Sequence, residues 1–153
     1  MEKSPFTKLG QIGVIVSDMD KAVAHYESLG IGPFKVLEKP APVERTAFGK
    51  LANDLKLKIM VAYMGDVEFE LIQPVSEGSV QMKSLKTHGE GISHLGFYVE
   101  DVNKEVDEMV AKGYDVICSV KRVDGSGSAY FDTDRVGGVQ FEVIQVRPSK
   151  EQA

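Results

Sequence analysis

An α+β fold made of two tandem βαβββ modules is what this 153-residue chain predicts, and three observations carry the prediction. The heptads VEFELIQ (Val67 to Gln73) and VQFEVIQ (Val139 to Gln145) are nearly the same, and both alternate with the period of two that marks a β-strand. A shift of 83 places lays LGQIGVIVSDMDKAVAHYESLG (Leu9 to Gly30) over ISHLGFYVEDVNKEVDEMVAKG (Ile92 to Gly113), pairing Gly13 with Gly96, Asp18 with Asp101 and Gly30 with Gly113. In both long segments a strand-like run gives way to a run of helical spacing that stops at a glycine. The chain is therefore expected to be one domain, 1–153, holding two modules at about 8–75 and 92–147, the first with a longer middle loop.

The elements follow in order. QIGVIV and HLGFYV read as first strands, and Asp18 and Asp101 as the N-caps of the helices that follow, since their carboxylates can accept orphan backbone N–H groups. Val23, Tyr26 and Leu29 in one helix, and Val102, Val106, Met109 and Val110 in the other, fall at helical spacing and call for a sheet to pack on. Gly30 and Gly113 end them as left-handed residues would. PFKVL, LKIMVAYM and VEFELIQ then read as strands in the first half, and YDVICSV, SAYFDT and VQFEVIQ in the second. DGSGS (Asp124 to Ser128) reads as a hairpin turn, because no Gly-Lys-Ser/Thr follows it to make a phosphate loop.

Composition excludes several classes. With 42% apolar and 27% charged residues the chain has the profile of a soluble globular domain with a real core. A net charge of −5 without a basic stripe argues against a nucleic-acid partner. No stretch has the length and apolarity of a membrane span, and MEKSPFTKL lacks a signal-peptide core, so a cytoplasmic location is expected. The single Cys118 cannot form an internal disulfide and reads as a small strand hydrophobe.

Strand alternation then sorts side chains by face. Ile12, Val14 and Val16 point toward the helix, and Gln11, Gly13 and Ile15 point away; His94, Gly96 and Tyr98 repeat the second face. A polar residue followed two places on by glycine leaves space over the sheet, as a cavity wall would. In the heptads Glu68, Glu70 and Ile72 share one face, echoed by Gln140, Glu142 and Ile144. A lone strand histidine is ordinarily a hydrogen-bonded core residue and a lone strand glutamate ordinarily faces solvent. Here Gln11, Glu70, His94 and Glu142 fall at equivalent positions of the repeat. One imidazole, two carboxylates and an amide oxygen suit one divalent ion, such as zinc, cobalt, nickel or manganese, with its charge balanced.

At these residues the chain resembles the vicinal oxygen chelate superfamily, which includes glyoxalase I, methylmalonyl-CoA epimerase, extradiol dioxygenases and bleomycin-resistance proteins. The resemblance implies paired βαβββ modules forming a half-barrel metal-binding cleft, with the four ligand positions at Gln11, Glu70, His94 and Glu142, and commonly a homodimer. Through LGQIGVIVSDMDKAVAHY, LGIGPF and LKTHGEGISHLGFYVEDV it is most similar to the methylmalonyl-CoA epimerase branch. Epimerases usually place His where this chain has Gln11, and the order Gln, Glu, His, Glu is that of zinc-type glyoxalase I. FDTDRVGG (Phe131 to Gly138) departs from the glyoxalase pattern before the last ligand; LKLKIMV (Leu57 to Val61 within it) lacks the extra acidic base of some epimerases, and Ser93 replaces a frequent His.

The expected activity is that of a metal-dependent epimerase or racemase. Proton abstraction next to a metal-polarised carbonyl would fall to Glu142, with Glu70 as its partner on the other face. The substrate is expected to be a small carbonyl compound, an acyl-CoA or an apolar ketone such as an isoflavanone (dihydrodaidzein). Phe34, Phe48, Met60, Met82 and Leu85 are candidates for an apolar pocket, and Lys83 and Lys86 for CoA phosphates, although core packing and a solvated helix face explain them as well. A glyoxalase I-type lyase and a metal-free ligand-binding protein are the alternatives; an extradiol dioxygenase, needing two His, is disfavoured by Gln11.

Overall fold

The computed structural model describes residues 3–146; Arg147, the last residue of the second repeat, lies outside them. The elements are β1 (Leu9–Ile15), α1 (Met19–Ser28), β2 (Lys35–Val36), β3 (Pro42–Ala47), β4 (Lys50–Leu51), β5 (Leu57–Met64), β6 (Val67–Pro74), α2 (Val80–His88), β7 (Gly91–Tyr98), α3 (Val102–Ala111), β8 (Val116–Arg122), β9 (Gly127–Phe131) and β10 (Gln140–Gln145). All ten strands form one mixed sheet in the order β2-β5-β6-β1-β7-β10-β9-β8-β3-β4. The second half is a βαβββ module. In the first half a small hairpin, β3–β4, is inserted between β2 and β5.

Both repeated helices start and stop as their sequences dictate. Asp18 accepts from the backbone N–H of Lys21, and Asp101 from those of Asn103 and Lys104. Gly30 and Gly113 take φ of 83° and 88°, values that a β-carbon would penalise. α1 buries Met19, Ala22, Val23 and Tyr26 against Val14, Val16, Phe69 and Leu71; α3 buries Val102, Val106 and Met109 against Ala129, Phe131 and Val143. Leu71, Phe131 and Val143 are fully buried. Truncating one such residue to Ala costs about 2–5 kcal/mol, more than the ~1 kcal/mol of a cap. Packing on the sheet, more than capping, therefore holds each helix.

The β3–β4 hairpin is the departure from a plain duplication. PFKVL forms only the two-residue β2, because Glu38-Lys39-Pro40-Ala41-Pro42 follows and proline cannot donate to a ladder. The chain leaves the β2 edge, crosses to the opposite edge and pairs β3 antiparallel with β8, then returns from β4 to β5. Val36 to Pro42 is six Cα steps, which reach at most about 21 Å. The sheet must therefore curl until its two edges face each other. The helices α1 and α3 lie outside the curl and the cleft lies within it, with the start of α2 at its margin.

Candidate metal centre

The four central strands place the sequence-selected residues in two lateral rows. One row runs Glu70 (β6), Gly13 (β1), His94 (β7), Gln140 (β10), and the next runs Glu68 (β6), Gln11 (β1), Gly96 (β7), Glu142 (β10). A pseudo-twofold between β1 and β7 exchanges the rows, sending Glu70 to Glu142, Gly13 to Gly96 and Gln11 to His94. Each glycine is the floor over which a neighbour's side chain crosses. A β-carbon on Gly13 would lie 1.9 Å from His94 Cε1, and one on Gly96 would lie 3.0 Å from Gln11 Cβ and 2.7 Å from Ile144 Cδ1.

The side chains converge on His94 Nε2. Gln11 Oε1 lies 2.7 Å from it, Glu142 Oε2 3.3 Å and Glu70 Oε2 3.4 Å, with the Tyr130 hydroxyl at 3.5 Å. All four sequence-selected residues are at least 95% buried. An imidazole Nε2 carries at most one proton, so it cannot satisfy three oxygens at once. Glu142 Oε2 is left without a hydrogen bond. Burial is the main cause that pushes the Glu142 pKa up, with the charge of Glu70 adding to it and His94 opposing it. Burial also opposes charge on His94, yet the hydrogen bond to Glu70 and the charges of Glu142 and Glu70 outweigh it and raise the His94 pKa. The pocket favours positive charge at its centre.

Two further residues fix the Gln11 amide. Its Nε2 donates to Glu68 Oε1 at 2.6 Å, which turns Oε1 toward His94, and Tyr63 donates to Glu68 Oε2 at 3.1 Å. Sequence reading placed Glu68 on the right face without giving it a role. Its signal is the register, because Glu68 stands opposite Gln11 as Gln140 stands opposite His94.

These groups fit a divalent ion. Two carboxylates, an imidazole nitrogen and an amide oxygen meet at one buried point, one carboxylate oxygen is an orphan, and the local potential is negative. The distances of the three oxygens from His94 Nε2, 2.7, 3.4 and 3.3 Å, are of the order found between donors sharing one ion with bonds of about 2.0–2.2 Å. Among the described residues no three of His, Cys, Asp and Glu stand ready as a metal site on their own.

Gln11, Glu70 and Glu142 line a cleft of about 70 Å³. Its apolar wall is made by Leu37, Leu55, Leu57, Ile59, Val80 and Val120, and its polar lining includes Lys39, Arg45, Gln81, Arg122 and Tyr130. None of the five apolar candidates from the sequence lines it. Phe34 and Met60 belong to the α1 core, Phe48 is exposed beneath Lys83 at 5.0 Å, and Met82 and Leu85 lie on α2 away from the cleft. Lys86 is paired with Glu77 at 2.6 Å. Cys118 does line the cleft, and burial pushes its thiol pKa up to about 12, so it stays an uncharged wall residue.

Comparisons with known proteins agree with this architecture. Solved structures of similar fold include a hypothetical protein from Bacillus halodurans C-125 (24% identity, TM-score 0.68, covering 93% of this chain and 96% of that one). Methylmalonyl-CoA epimerase from Mycobacterium tuberculosis shares 22% identity with a TM-score of 0.69, covering 100% and 97%. Methylmalonyl-CoA epimerase from Streptomyces coelicolor, solved with 2-nitronate-propionyl-CoA, shares 20% with a TM-score of 0.70, covering 94% and 99%. No curated protein sequence matches. The family model described as Glyoxalase/Bleomycin resistance protein/Dioxygenase superfamily matches residues 10–131, most of the chain, and the chain belongs to that superfamily.

Proposed function

We propose that this protein is a divalent-metal-dependent epimerase or racemase that removes a proton from the carbon next to a carbonyl and returns it to the other face. The observation that carries the reading is the pair Glu70 and Glu142, related by the pseudo-twofold and meeting on either side of the His94–Gln11 centre. Gln11, Glu70, His94 and Glu142 would hold the ion. What a divalent ion supplies in such a place is polarisation of a carbonyl oxygen, which lowers the pKa of the neighbouring C–H.

The chain's own residues do the rest. Glu142 has an oxygen with no hydrogen bond to give up, so it takes the proton. Glu70, from the other half, starts with the proton that it delivers to the opposite face and is left as the carboxylate while Glu142 holds the proton taken from carbon, so the two exchange roles in the reverse direction. Glu68 and Tyr63 keep the Gln11 amide oxygen turned inward. Return of the proton to a neighbouring carbon would instead make the site a glyoxalase-type isomerase. The epimerase similarity of the structural neighbours supports the first outcome.

We further propose a small carbonyl substrate, an acyl-CoA or an apolar ketone, and a cytoplasmic homodimer with one ion per chain. The pairing of β1 with β7 within one chain supports a site whose four residues come from the same chain. The test is α-proton exchange in D₂O, followed by NMR, with methylmalonyl-CoA and with dihydrodaidzein. Exchange that disappears in Glu142→Gln supports the reading; absence of exchange from both substrates in metal-loaded protein contradicts it.

A further inference from the structure

We propose that Arg45 and Arg122 form an oxyanion subsite in the cleft, holding a carboxylate or phosphate group of the substrate while its carbonyl faces the quartet. The inference rests on the reading of this cleft as the substrate site, and it supplies what that reading leaves open, the charge of the substrate.

β3 and β8 pair antiparallel, with Arg45 opposite Val120 and Pro42 opposite Arg122. Alternation sends Arg45, Ala47, Cys118, Val120 and Arg122 into the cleft, and Glu44 and Lys121 to the outside. The outward charges neutralise each other, with Lys121 Nζ 3.3 Å from Glu44 Oε1. The inward ones do not. Among the described residues neither guanidinium has a carboxylate within ion-pair distance. Both are half-buried, in a protein whose net charge is −5.

Two like charges brought together in a partly desolvated place are costly unless an anion joins them. Burial lowers the Arg122 pKa and the charge of Arg45 lowers it further, and the opposing charges of Glu142 and Asp124 do not cancel that lowering. Arg45 Nη1 donates to the Leu55 carbonyl at 2.7 Å, which anchors the guanidinium on the returning crossover and leaves its other donors free. A planar guanidinium matches the two oxygens of a carboxylate or phosphate, so a pair of them makes a pre-shaped receptor. The exposed Lys39, on the other crossover, adds positive potential at the mouth. Opposite stands the apolar wall of Leu57, Ile59 and Val80. The ligand chemistry that matches is an anionic head on an apolar body with a carbonyl. A neutral ketone would leave both guanidiniums unpaired, which a buried site penalises.

Calorimetric titration tests this on the full chain treated with a chelator, so that no metal contributes to binding. The probes are monomethyl malonate, its neutral dimethyl ester and inorganic phosphate. Wild type should bind an anion with a Kd of about 1 mM and not the diester, and Arg45→Met and Arg122→Met should each weaken it about ten- to a hundredfold. Tighter binding of the malonate half-ester assigns a carboxylate head, and tighter binding of phosphate a phosphate head. Equal binding of acid and diester, no binding of either anion up to about 10 mM, or retained affinity in both variants with unchanged melting temperatures overturns the proposal. Because the titration needs neither metal nor turnover, it can stand when the proton-exchange test fails, and fail when that test succeeds.

Discussion

At the scale of single residues, the centre depends on atoms that are missing as much as on those present. Gly13 is required because the His94 ring lies where its β-carbon would be. Neither neighbour can give way cheaply, since His94 is fully buried and Gly13 lies in a central strand. Gly13→Ala is expected to cost about 1–3 kcal/mol in urea denaturation and to release the metal, whereas Gly10→Ala should leave metal content intact, because it presses on Tyr98 instead. Equal metal retention by both variants would contradict the role given to Gly13.

Protonation gives a second residue-scale prediction. In the metal-free protein, His94, packed against Gln11, Glu70, Glu142 and Tyr130, and Glu142 itself both hold protons more tightly when folded than when unfolded. Each contributes stability that is complete below its unfolded pKa, about 6.5 for His and 4.3 for Glu, and that is lost as pH rises through the folded value. The melting temperature of chelator-treated protein should therefore fall as pH rises past the unfolded pKa values, and fall less in Glu142→Gln. A wild type and variant with parallel profiles would show that Glu142 carries no such shift.

At the scale of elements, α1, α3 and the central strands were legible because their signals are local. Asp18, Asp101, Gly30 and Gly113 each act on backbone within four residues, and the alternation of Ile12, Val14 and Val16 marks a face without reference to the rest of the chain. Asp101→Ala is expected to lower stability by about 1 kcal/mol without loss of metal, as read by denaturation and elemental analysis. Loss of metal would mean that α3 positions the site, which its packing on β9 and β10 from the outer face does not require. The β3–β4 hairpin was not legible. PVERTA and KL carry short, mixed patterns, and the partner of β3 is β8, some 70 residues away. What sends it there is the closure of a curled sheet, a long-range property. The cleft wall was not legible for the same reason: Phe34 and Met60 take the core place that their spacing also allowed, packed toward α1, while Arg45 and Arg122 become neighbours only through the crossover.

At the scale of the whole molecule, duplication explains why one small chain can build a four-donor centre. Each half contributes one strand residue of ligand type and one heptad glutamate, and pairing β1 with β7 brings the halves together with their glycines interleaved. The repeat made the quartet legible, since equivalence at four positions is improbable for unrelated core polar residues. What the repeat did not disclose is the asymmetry between Glu68 and Gln140, which anchors Gln11 and has no counterpart for His94 in the same form. Glu68→Gln should loosen the amide and weaken metal binding about ten- to a hundredfold, the range for partners that orient a ligand, while leaving the fold intact by circular dichroism.

The most direct test of the account is the metal content of purified wild-type protein beside Glu142→Ala, by elemental mass spectrometry without added metal. About one zinc, cobalt, nickel or manganese per chain in the wild type, lost or loosened in the variant, is the result predicted from the convergence of Gln11, Glu70, His94 and Glu142. A wild type that takes up no divalent metal even when supplied with it would contradict the account, and would leave the cleft as a binding site without metal chemistry.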